Sequence, residues 1–277
     1  MVINELKQKY SITAILKVVD IPRSTYYYWC KQLEKPDKHS EIKEKIREIY
    51  EENHKRYGYR RITSILRKTM IINHKTVQRL MREMGLFCRV RISKYKSYKG
   101  EVGKITPNLL ERDFKAEKPN EKWATDVTEF SLFGRKVYLS PIIDLFNGEV
   151  VSHNISFSPN FAQTVDMLEK AFAKIPDNTN LILHSDQGWQ YQMKSYHKML
   201  KDKGVRQSMS RKGNCLDNAC AENFFGLLKS ELLYLQEFSS MEHFLLELEN
   251  YIDWYNNKRI KLKLDGLSPV EYRLKSA

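Results

Sequence analysis

The sequence has 277 residues, 42% hydrophobic and 29% charged, with a net charge of +13, which allows one sizeable core and one or two small domains. Its apolar runs are far shorter than the roughly 20 residues of a membrane span, and the N-terminus lacks an apolar signal core, so we expect a cytoplasmic protein with no membrane partner. The four cysteines lack metal-ligand spacing, which argues against a zinc site and a disulfide framework.

The positive charge is unevenly distributed along the chain. Residues 1–106 hold 25 Lys and Arg against 11 Asp and Glu, so all of the excess lies in the first two fifths. A basic part beside a neutral part is typical of a polyanion-binding region joined to a second domain. A solvated basic surface is the alternative.

Residues 11–32, SITAILKVVDIPRSTYYYWCKQ, predict two short helices around a tight break. Ser11 can cap the first helix, Pro22 stops it, and Ser24 can cap the second. This is the outline of a helix-turn-helix, which we assign to residues 1–36. A helical hairpin without DNA contact has the same pattern.

A second helical DNA-binding unit is predicted over residues 40–88, and its last helix is the most informative. In NHKTVQRLMREMG (73–85), Asn73 is a good N-cap, Gly85 is a good end, and the apolar residues share one face. The other face carries the candidate DNA contacts Lys75, Gln78, Arg79 and Arg82. Such a basic face suits a DNA major groove, and an ordinary amphipathic surface helix is the alternative.

A basic linker is predicted over residues 89–117. CRVRISKYKSYKGEVGK (88–104) has six basic residues, two tyrosines and no helical periodicity. A flexible arm of this kind can track DNA phosphates, and its candidate contacts are Arg89, Arg91, Lys94 and Lys96. A solvated linker has the same composition.

From about residue 120 the pattern changes from helical to strand-like. Strands are predicted at 123–130, 136–144 and 149–156, followed by a helix at 161–174, a strand at 180–184, a helix at 190–203, a strand at 205–209 and a long helix from about 218. This order predicts an α/β domain over residues 118–277, in which helices flank a mixed five-stranded sheet.

Three carboxylates stand out in this domain. Asp126 lies within a strand between apolar residues, Asp186 in HSDQGWQY ends a short strand, and Glu222 begins the long helix. Each has a structural explanation by itself: an edge hydrogen bond, a turn, or the helix dipole. Adjacent strands can instead bring them together, and clustered carboxylates repel one another unless cations neutralise them. Oxygen ligands favour Mg²⁺ or Mn²⁺, and two ions about 4 Å apart suit attack on a phosphodiester.

Several further residues are candidates around these carboxylates. Lys229 follows Glu222 by two helical turns and can hold a phosphate, with Gly226 between them to let a DNA backbone approach. Arg211 and Lys212 lie in RKGNCLD, which we expect to be a mobile loop that meets DNA. Asn218 can contact DNA or a water near the metals. His184 and Gln187 can orient a metal-bound water or be structural. Asp144 ranks below the three acids.

The spacing of these residues carries a family resemblance. With 35 residues between Asp186 and Glu222 and a lysine seven positions further, the chain resembles the DDE core of retroviral integrases and bacterial transposases. WATDVTEF, HSDQGWQY, SMSRKGNCLDNACAENFFGLLKSE and YNNKRIKLKLDGLSPVEYR resemble the second-reading-frame product of insertion-sequence family three. Many relatives have Ser or Thr at the position of Asn223 and His at that of Lys261, and neither difference affects a metal ligand.

The resemblance implies an RNase H-like fold and a metal-dependent polynucleotidyl transferase with Asp126, Asp186 and Glu222 as its triad. Water cleaves the DNA at the element's end, and the freed 3′-hydroxyl attacks another phosphodiester. The implied partners are double-stranded DNA, as terminal inverted repeats and target, further copies of the chain, and the upstream-frame protein as a fusion. The implied location is the bacterial cytoplasm, at the nucleoid.

Two other functions are alternatives to this interpretation. A nuclease of this fold would cut DNA without joining it, using the same metals. A DNA-binding regulator with an inert core is the third possibility, and the four intact residues Asp126, Asp186, Glu222 and Lys229 argue against it.

Overall fold

The computed structural model describes residues 10–33, 37–89, 106–211 and 215–276. The helices are α1 (Ile12–Val18), α2 (Arg23–Leu33), α3 (Ser40–Glu52), α4 (Tyr59–Leu66), α5 (His74–Glu83), α6 (Phe161–Phe172), α7 (Lys194–Lys203), α8 (Ala219–Leu228), α9 (Met241–Asn257) and α10 (Pro269–Ser276). The strands are β1 (Lys122–Thr125), β2 (Thr128–Leu132), β3 (Arg135–Asp144), β4 (Val150–Ser156), β5 (Ile182–Ser185) and β6 (Arg206–Met209). Within these residues no helix is both long and apolar enough to cross a membrane.

Helices α1 and α2 form the first helical pair. The Ser11 side chain accepts a 3.3 Å hydrogen bond from Ala14 N–H at the start of α1, as the capping pattern predicted. Helix α2 begins at Arg23, so Ser24 lies inside its first turn and is not its cap. Pro22 provides the first carbonyl acceptor instead, through a 3.1 Å bond from Tyr26 N–H.

Helices α3, α4 and α5 form the second helical unit, and this unit is packed onto the α/β domain. Its core residues Ile46, Ile62 and Leu80 are fully buried. They belong to one hydrophobic cluster with residues of the sheet and of α8 and α9, such as Phe130 and Phe244. The two predicted regions therefore share a core.

The sheet has the strand order β2-β3-β1-β5-β6, and β4 pairs with the other edge of β3. Strands β1 and β5 are parallel, as are β5 and β6, whereas β3 is antiparallel to β1, β2 and β4. Both β1 and β2 pair with β3 in one continuous register. The predicted first strand is thus divided into two at residues 126 and 127, which gives six strands where five were expected.

Helices cover both faces of this mixed sheet. Successive strand residues point to opposite faces, so Val150 joins the cluster under α8 and α9 while Val151 joins the cluster under α6 and α7. Ile143 and Ile142 of β3 are divided in the same way. The observed α/β architecture is the RNase H-like arrangement that the resemblance implied.

Candidate active site

Asp126 lies at the interruption between β1 and β2. The common register of the two strands places Asp126 opposite Pro141. The Pro141 carbonyl faces the interruption, because it accepts a 2.9 Å hydrogen bond from Thr125 Oγ1. In a strand, the N and the C=O of one residue point to the same side, so the Pro141 nitrogen also faces residue 126. Proline has no N–H, so residue 126 lacks the hydrogen-bond donor that another residue would supply there. The missing N–H of Pro141 therefore explains why the ladder is interrupted at residue 126.

Asp186 follows β5 directly and is aligned with Asp126. The parallel register pairs Ala124 with His184, which places residues 126 and 186 side by side just beyond the strand ends. Asp186 Oδ1 accepts a 2.9 Å bond from Gly188 N–H. A Cβ at Gly188 would stand 2.9 Å from this oxygen, so the absent side chain leaves room for the carboxylate.

Glu222 lies in the first turn of α8, which packs on β1 from one side of the sheet. Burial raises the pKa of Asp126 well above its usual range, and the charges of Asp186 and Glu222 raise it further, against the opposing charge of Lys229. Burial also raises the pKa of Asp186. The four residues singled out in the sequence are therefore electrostatic neighbours in one partly desolvated site.

The carboxylates do not form a finished ligand cage. Among the residues that the structure describes, no three His, Cys, Asp or Glu side chains are arranged to hold a metal ion. One oxygen of each aspartate is engaged by a backbone N–H instead, Val127 N at 2.7 Å from Asp126 and Gly188 N from Asp186. Mutual repulsion and an oxygen-only donor set still fit a hard divalent cation, which would draw these side chains together.

Lys229 is the first residue of a short π-helical segment, Lys229–Leu233, that continues α8. Its Nζ lies 5.8 Å from the centre of the Phe130 ring. Burial lowers the pKa of Lys229, and the charge of Asp126 opposes this shift. Gly226, between Glu222 and Lys229, is exposed, and a Cβ there would meet nothing within 4 Å. The surface at Gly226 is therefore open.

Comparison with known proteins agrees with this geometry. Residues 116–215 and 222–276 match two families described as integrase core domains, and residues 38–94 match an HTH-like domain. Transposase InsK for insertion sequence element IS150 of Escherichia coli (strain K12) is 55% identical over 273 residues, covering 98% of this chain and 96% of that protein. Transposase InsF for insertion sequence IS3A of the same strain is 33% identical, covering 99% and 98%.

The chain belongs to the transposases of insertion-sequence family three. It is accordingly a DDE-type polynucleotidyl transferase, and its HTH-like domain indicates DNA binding. Among solved structures, the catalytic core domain of HTLV-2 integrase in complex with magnesium has a TM-score of 0.44 at 19% identity, covering 57% of this chain and 98% of that one.

Three residues behind the transposase triad were not identified as a group from the sequence. The Thr125 and Tyr191 hydroxyl oxygens lie 3.4 Å apart in the buried layer below Asp126. Asn218 is only 3% exposed, and its Nδ2 donates a 3.4 Å bond to the Thr125 carbonyl. Burial leaves Asn218 no surface for DNA in this conformation, and its contact with a water near the metals stays a prediction. Nothing in their spacing could have revealed these contacts.

Asp217 joins two segments beside the site and was also missed by the sequence analysis. This buried carboxylate accepts bonds from Asn108 Nδ2 at 3.1 Å, Arg112 Nε at 2.9 Å and Arg211 Nε at 3.0 Å. The hydrogen bond from Arg211 contributes most to holding the pKa of Asp217 well below its usual range. Arg211 thus anchors the start of the loop 211–217, while its side chain remains 59% exposed.

The other candidate DNA contacts belong to α5, to the chain that follows it and to the position after Arg211. The predicted face of α5 is exposed, and its polar residues are Lys75, Gln78, Arg79 and Arg82. Arg79 forms an ion pair with Glu83, and Arg89 is exposed after the unit's last turn. Four of the candidates lie outside the described residues: Arg91, Lys94, Lys96 and Lys212.

Three further candidates from the sequence make contacts within the fold. His184 is fully buried, and its Nδ1 lies 2.8 Å from Ser208 Oγ. Gln187 Nε2 donates a 2.9 Å bond to the Ser210 carbonyl, which links the turn after β5 to the end of β6. Asp144 pairs with Trp123 at the opposite end of β1 from Asp126. It therefore cannot join the three acids.

A cavity of about 210 Å³ adjoins the interruption in the strand. It is lined by Val127, next to Asp126, by Trp189, three residues after Asp186, and by Gln163 of α6. Trp189 is 51% exposed, which is unusual for a residue so close to the sheet. The cavity places an exposed aromatic side chain close in sequence to Asp186.

Proposed function

We propose that this transposase cuts DNA at the ends of its insertion element and joins the freed 3′-hydroxyl to a second phosphodiester. The observation that carries the proposal is the aligned position of Asp126 and Asp186 at the ends of adjacent parallel strands, with Glu222 facing them from α8. The magnesium complex of the HTLV-2 integrase core supports a metal-dependent reaction only as an analogy.

Asp126, Asp186 and Glu222 would hold two Mg²⁺ or Mn²⁺ ions. When bound, the ions would activate the attacking oxygen and stabilise the leaving oxygen. The protein's own part is positioning: the strand ends fix two carboxylates and the rigid first turn of α8 fixes the third. Lys229 orients a phosphate oxygen beside Asp126, with the DNA backbone passing over Gly226. The first step hydrolyses a phosphodiester with water as the nucleophile, and the second exchanges one phosphodiester for another, so no ATP is required.

Double-stranded DNA would lie along the basic half of the chain. The exposed face of α5, with Lys75, Gln78, Arg79 and Arg82, is the proposed major-groove reader of the terminal inverted repeat. Arg89, Arg91, Lys94 and Lys96 then follow phosphates towards the core, and Arg211 and Lys212 meet DNA near the triad. Trp189, beside the site, offers a stacking surface for an unpaired base.

Two ends must be brought together for transposition, so we propose a homo-oligomer on DNA. The upstream-frame protein, as a fusion to this chain, is a further proposed partner. The domain limits that follow are helical units at 1–36 and 40–88, a basic linker at 89–117 and the catalytic core at 118–277. The activity belongs in the bacterial cytoplasm, at the nucleoid.

The test mixes the full chain, Mg²⁺ and labelled DNA that carries the element's inverted repeats. We expect nicked ends and joined products, whereas Asp186→Asn and Glu222→Gln bind the DNA without cutting it. Asp202→Asn, an exposed aspartate of α7, is the matched control and should cut at the wild-type rate. Nicking without any joined product would show a nuclease instead, and cutting by Asp186→Asn would show that the triad is wrong.

A further inference from the structure

The loop between α3 and α4, residues 53–58, inserts into the catalytic core, and we call it the docking loop. Its Arg56 is 6% exposed and its Tyr57 is fully buried. The Tyr57 hydroxyl accepts a 3.0 Å bond from Ile260 N–H, on the chain that follows α9. The Arg56 guanidinium lies 4.6 Å from the Trp254 ring centre, within cation–π distance. The DNA-binding unit is therefore attached to the core through side chains from which water is excluded.

The backbone of the docking loop has an uncommon conformation. His54 and Lys55 have φ angles of 52° and 63°, a region that residues other than glycine seldom adopt. Such a residue is strained, so surrounding contacts must hold it. Lys55 N–H donates a 2.9 Å bond to the Tyr50 carbonyl, and the Lys55 carbonyl accepts a 3.2 Å bond from Arg89 N–H. The loop is thereby tied to the last turn of α3 and to the chain that follows α5.

Arg56 reaches the π-helical segment that begins with Lys229. Its Nε donates a 2.8 Å hydrogen bond to the Glu231 carbonyl. Carbonyls in the last turn of a helix have no N–H partner within the helix, so an external donor fixes the position of that turn. The Tyr234 N–H bonds to the Lys229 carbonyl at 3.0 Å, five residues back, which is the widened turn of a π-helix. Such turns are common at functional sites.

The Glu231 side chain fixes the same segment from a second direction. It is 1% exposed, and Arg259 binds its two oxygens at 2.7 and 2.6 Å. Burial acts to raise the pKa of Glu231, but the hydrogen bonds and charge of Arg259 bring it below the usual value. Arg61 of α4 adds a 3.8 Å ion pair. Two arginines of the DNA-binding unit thus contact one residue of the segment.

Lys229 and Glu231 lie two residues apart, on opposite sides of this segment. Lys229 faces Phe130 and the charge of Asp126, while Glu231 faces the docking loop and α9. A change in docking would therefore move the turn that carries Lys229.

We propose that Arg56 is a positioning residue: through Glu231 it holds Lys229 against the carboxylates, so that cutting depends on docking of the DNA-binding unit in the same chain. This inference rests on the proposed function for its meaning, because Lys229 is the residue that it positions. It assigns the unit a role beyond DNA binding, since the unit also completes the active site.

The first test is a mutant cycle on cleavage under single-turnover conditions with saturating DNA and Mg²⁺. We expect Arg56→Gln to slow cleavage by about tenfold in the wild-type background and by less than about twofold in a Lys229→Gln background. Equal losses in both backgrounds would show a general structural role and overturn the proposal. Arg60→Gln, an exposed arginine of α4, removes the same charge and should leave the rate unchanged.

The second test does not depend on activity. The amino group of Lys229 is labelled with acetic anhydride in the metal-free protein and quantified by mass spectrometry. We expect Arg56→Gln to raise its labelling rate several-fold, with no change at Lys198, an exposed lysine of α7. An unchanged rate at Lys229 overturns the inference even where the wild type cuts DNA. If the wild type cuts nothing but the labelling changes as expected, only the proposed function fails.

A third comparison separates this link from a loosened interface. Tyr57→Phe removes the hydroxyl that Ile260 N–H binds but leaves Arg56 and Glu231 intact. It should lower stability while leaving the labelling of Lys229 unchanged; an equal rise in labelling would contradict the proposal. Should Arg56→Gln not fold by circular dichroism, Arg56→Met, which has no donor for the Glu231 carbonyl, replaces it in both tests, with the same expected results.

Discussion

Asp126 and Asp186 occupy the same register position beside each other, two residues beyond Ala124 and His184, which form the last pair of the ladder between the parallel strands β1 and β5. Both residues lie outside the strands, because the ladder between β1 and β5 ends before them. Two carboxylates held side by side in a partly desolvated edge repel each other, and burial adds to the cost of their charges. The edge therefore favours a cation between them.

The first prediction concerns metal binding without DNA. Saturating Mg²⁺ should raise the melting temperature of the wild type, because a ligand at a hundred times its Kd stabilises the folded state by about 2.7 kcal/mol. Asp186→Asn should lose most of this rise, and Asp202→Asn should keep it. Differential scanning fluorimetry over a Mg²⁺ series measures the effect. Equal shifts in all three proteins would place the ion elsewhere.

The two glycines near the triad should respond to alanine in opposite ways. A Cβ at Gly188 would stand 2.6 Å from Gln190 Nε2 and 2.9 Å from Asp186 Oδ1, so Gly188→Ala should displace the carboxylate and slow cleavage by about tenfold or more. Gly226 is inside α8 with open space around it, so Gly226→Ala should raise the unfolding free energy by about 0.5–1 kcal/mol.

Cleavage by Gly226→Ala then tests the path of the DNA. If the backbone passes over this position, the more stable variant should cut more slowly and bind DNA more weakly. If Gly226→Ala binds DNA as tightly as the wild type, the DNA does not pass over α8 as proposed. Chemical denaturation and labelled-DNA cleavage on the same samples give both quantities.

The buried carboxyl of Asp144 predicts a pH dependence of stability. Burial raises its pKa to about 6, against the bonds that Asn120 N–H and Phe146 N–H donate to it. Between the unfolded pKa of about 4 and the folded pKa, the native state binds more protons, so its stability falls as pH rises through this window. The fall should reach about 3 kcal/mol and level off above pH 7.

Urea denaturation from pH 4 to pH 8 checks this sign. The difference in unfolding free energy between the wild type and Asp144→Asn should change through the window and be constant above it. A difference that is constant from pH 4 to pH 8 would show that Asp144 titrates at its ordinary value. Asp202→Asn, which alters an exposed carboxylate, should show no such change relative to the wild type.

The exposed face of α5 predicts the salt dependence of DNA binding. Each phosphate contact that is lost lowers the slope of log affinity against log salt by about one. Lys75→Gln and Arg82→Gln should each reduce the slope in this way, and a change at a base-reading position should also relax sequence preference. Fluorescence anisotropy with inverted-repeat and scrambled DNA separates the two effects. Lys198→Gln, on α7, is the control and should bind like the wild type.

Much of the architecture was predictable from local pattern. The apolar face of α5 and the Asn73 cap appear in the structure where the sequence placed them, because helix periodicity and capping involve residues within a few positions. The strand that ends before Asp186 was also expected. The division of the first strand was not, because Pro141 acts on residue 126 from a different strand.

The sequence by itself singled out the residues that we propose carry the chemistry. Asp126, Asp186, Glu222 and Lys229 stand out by their neighbours and spacing, and these are properties of the chain read along its length. Only the tertiary structure decided what surrounds them: the bond from Asn218 to Thr125, the arginines on Asp217, and the docking of Arg56 on Glu231. Those contacts join residues 6 to 175 positions apart. Long-range pairs depend on how the helices pack on the sheet, and no local pattern encodes that packing.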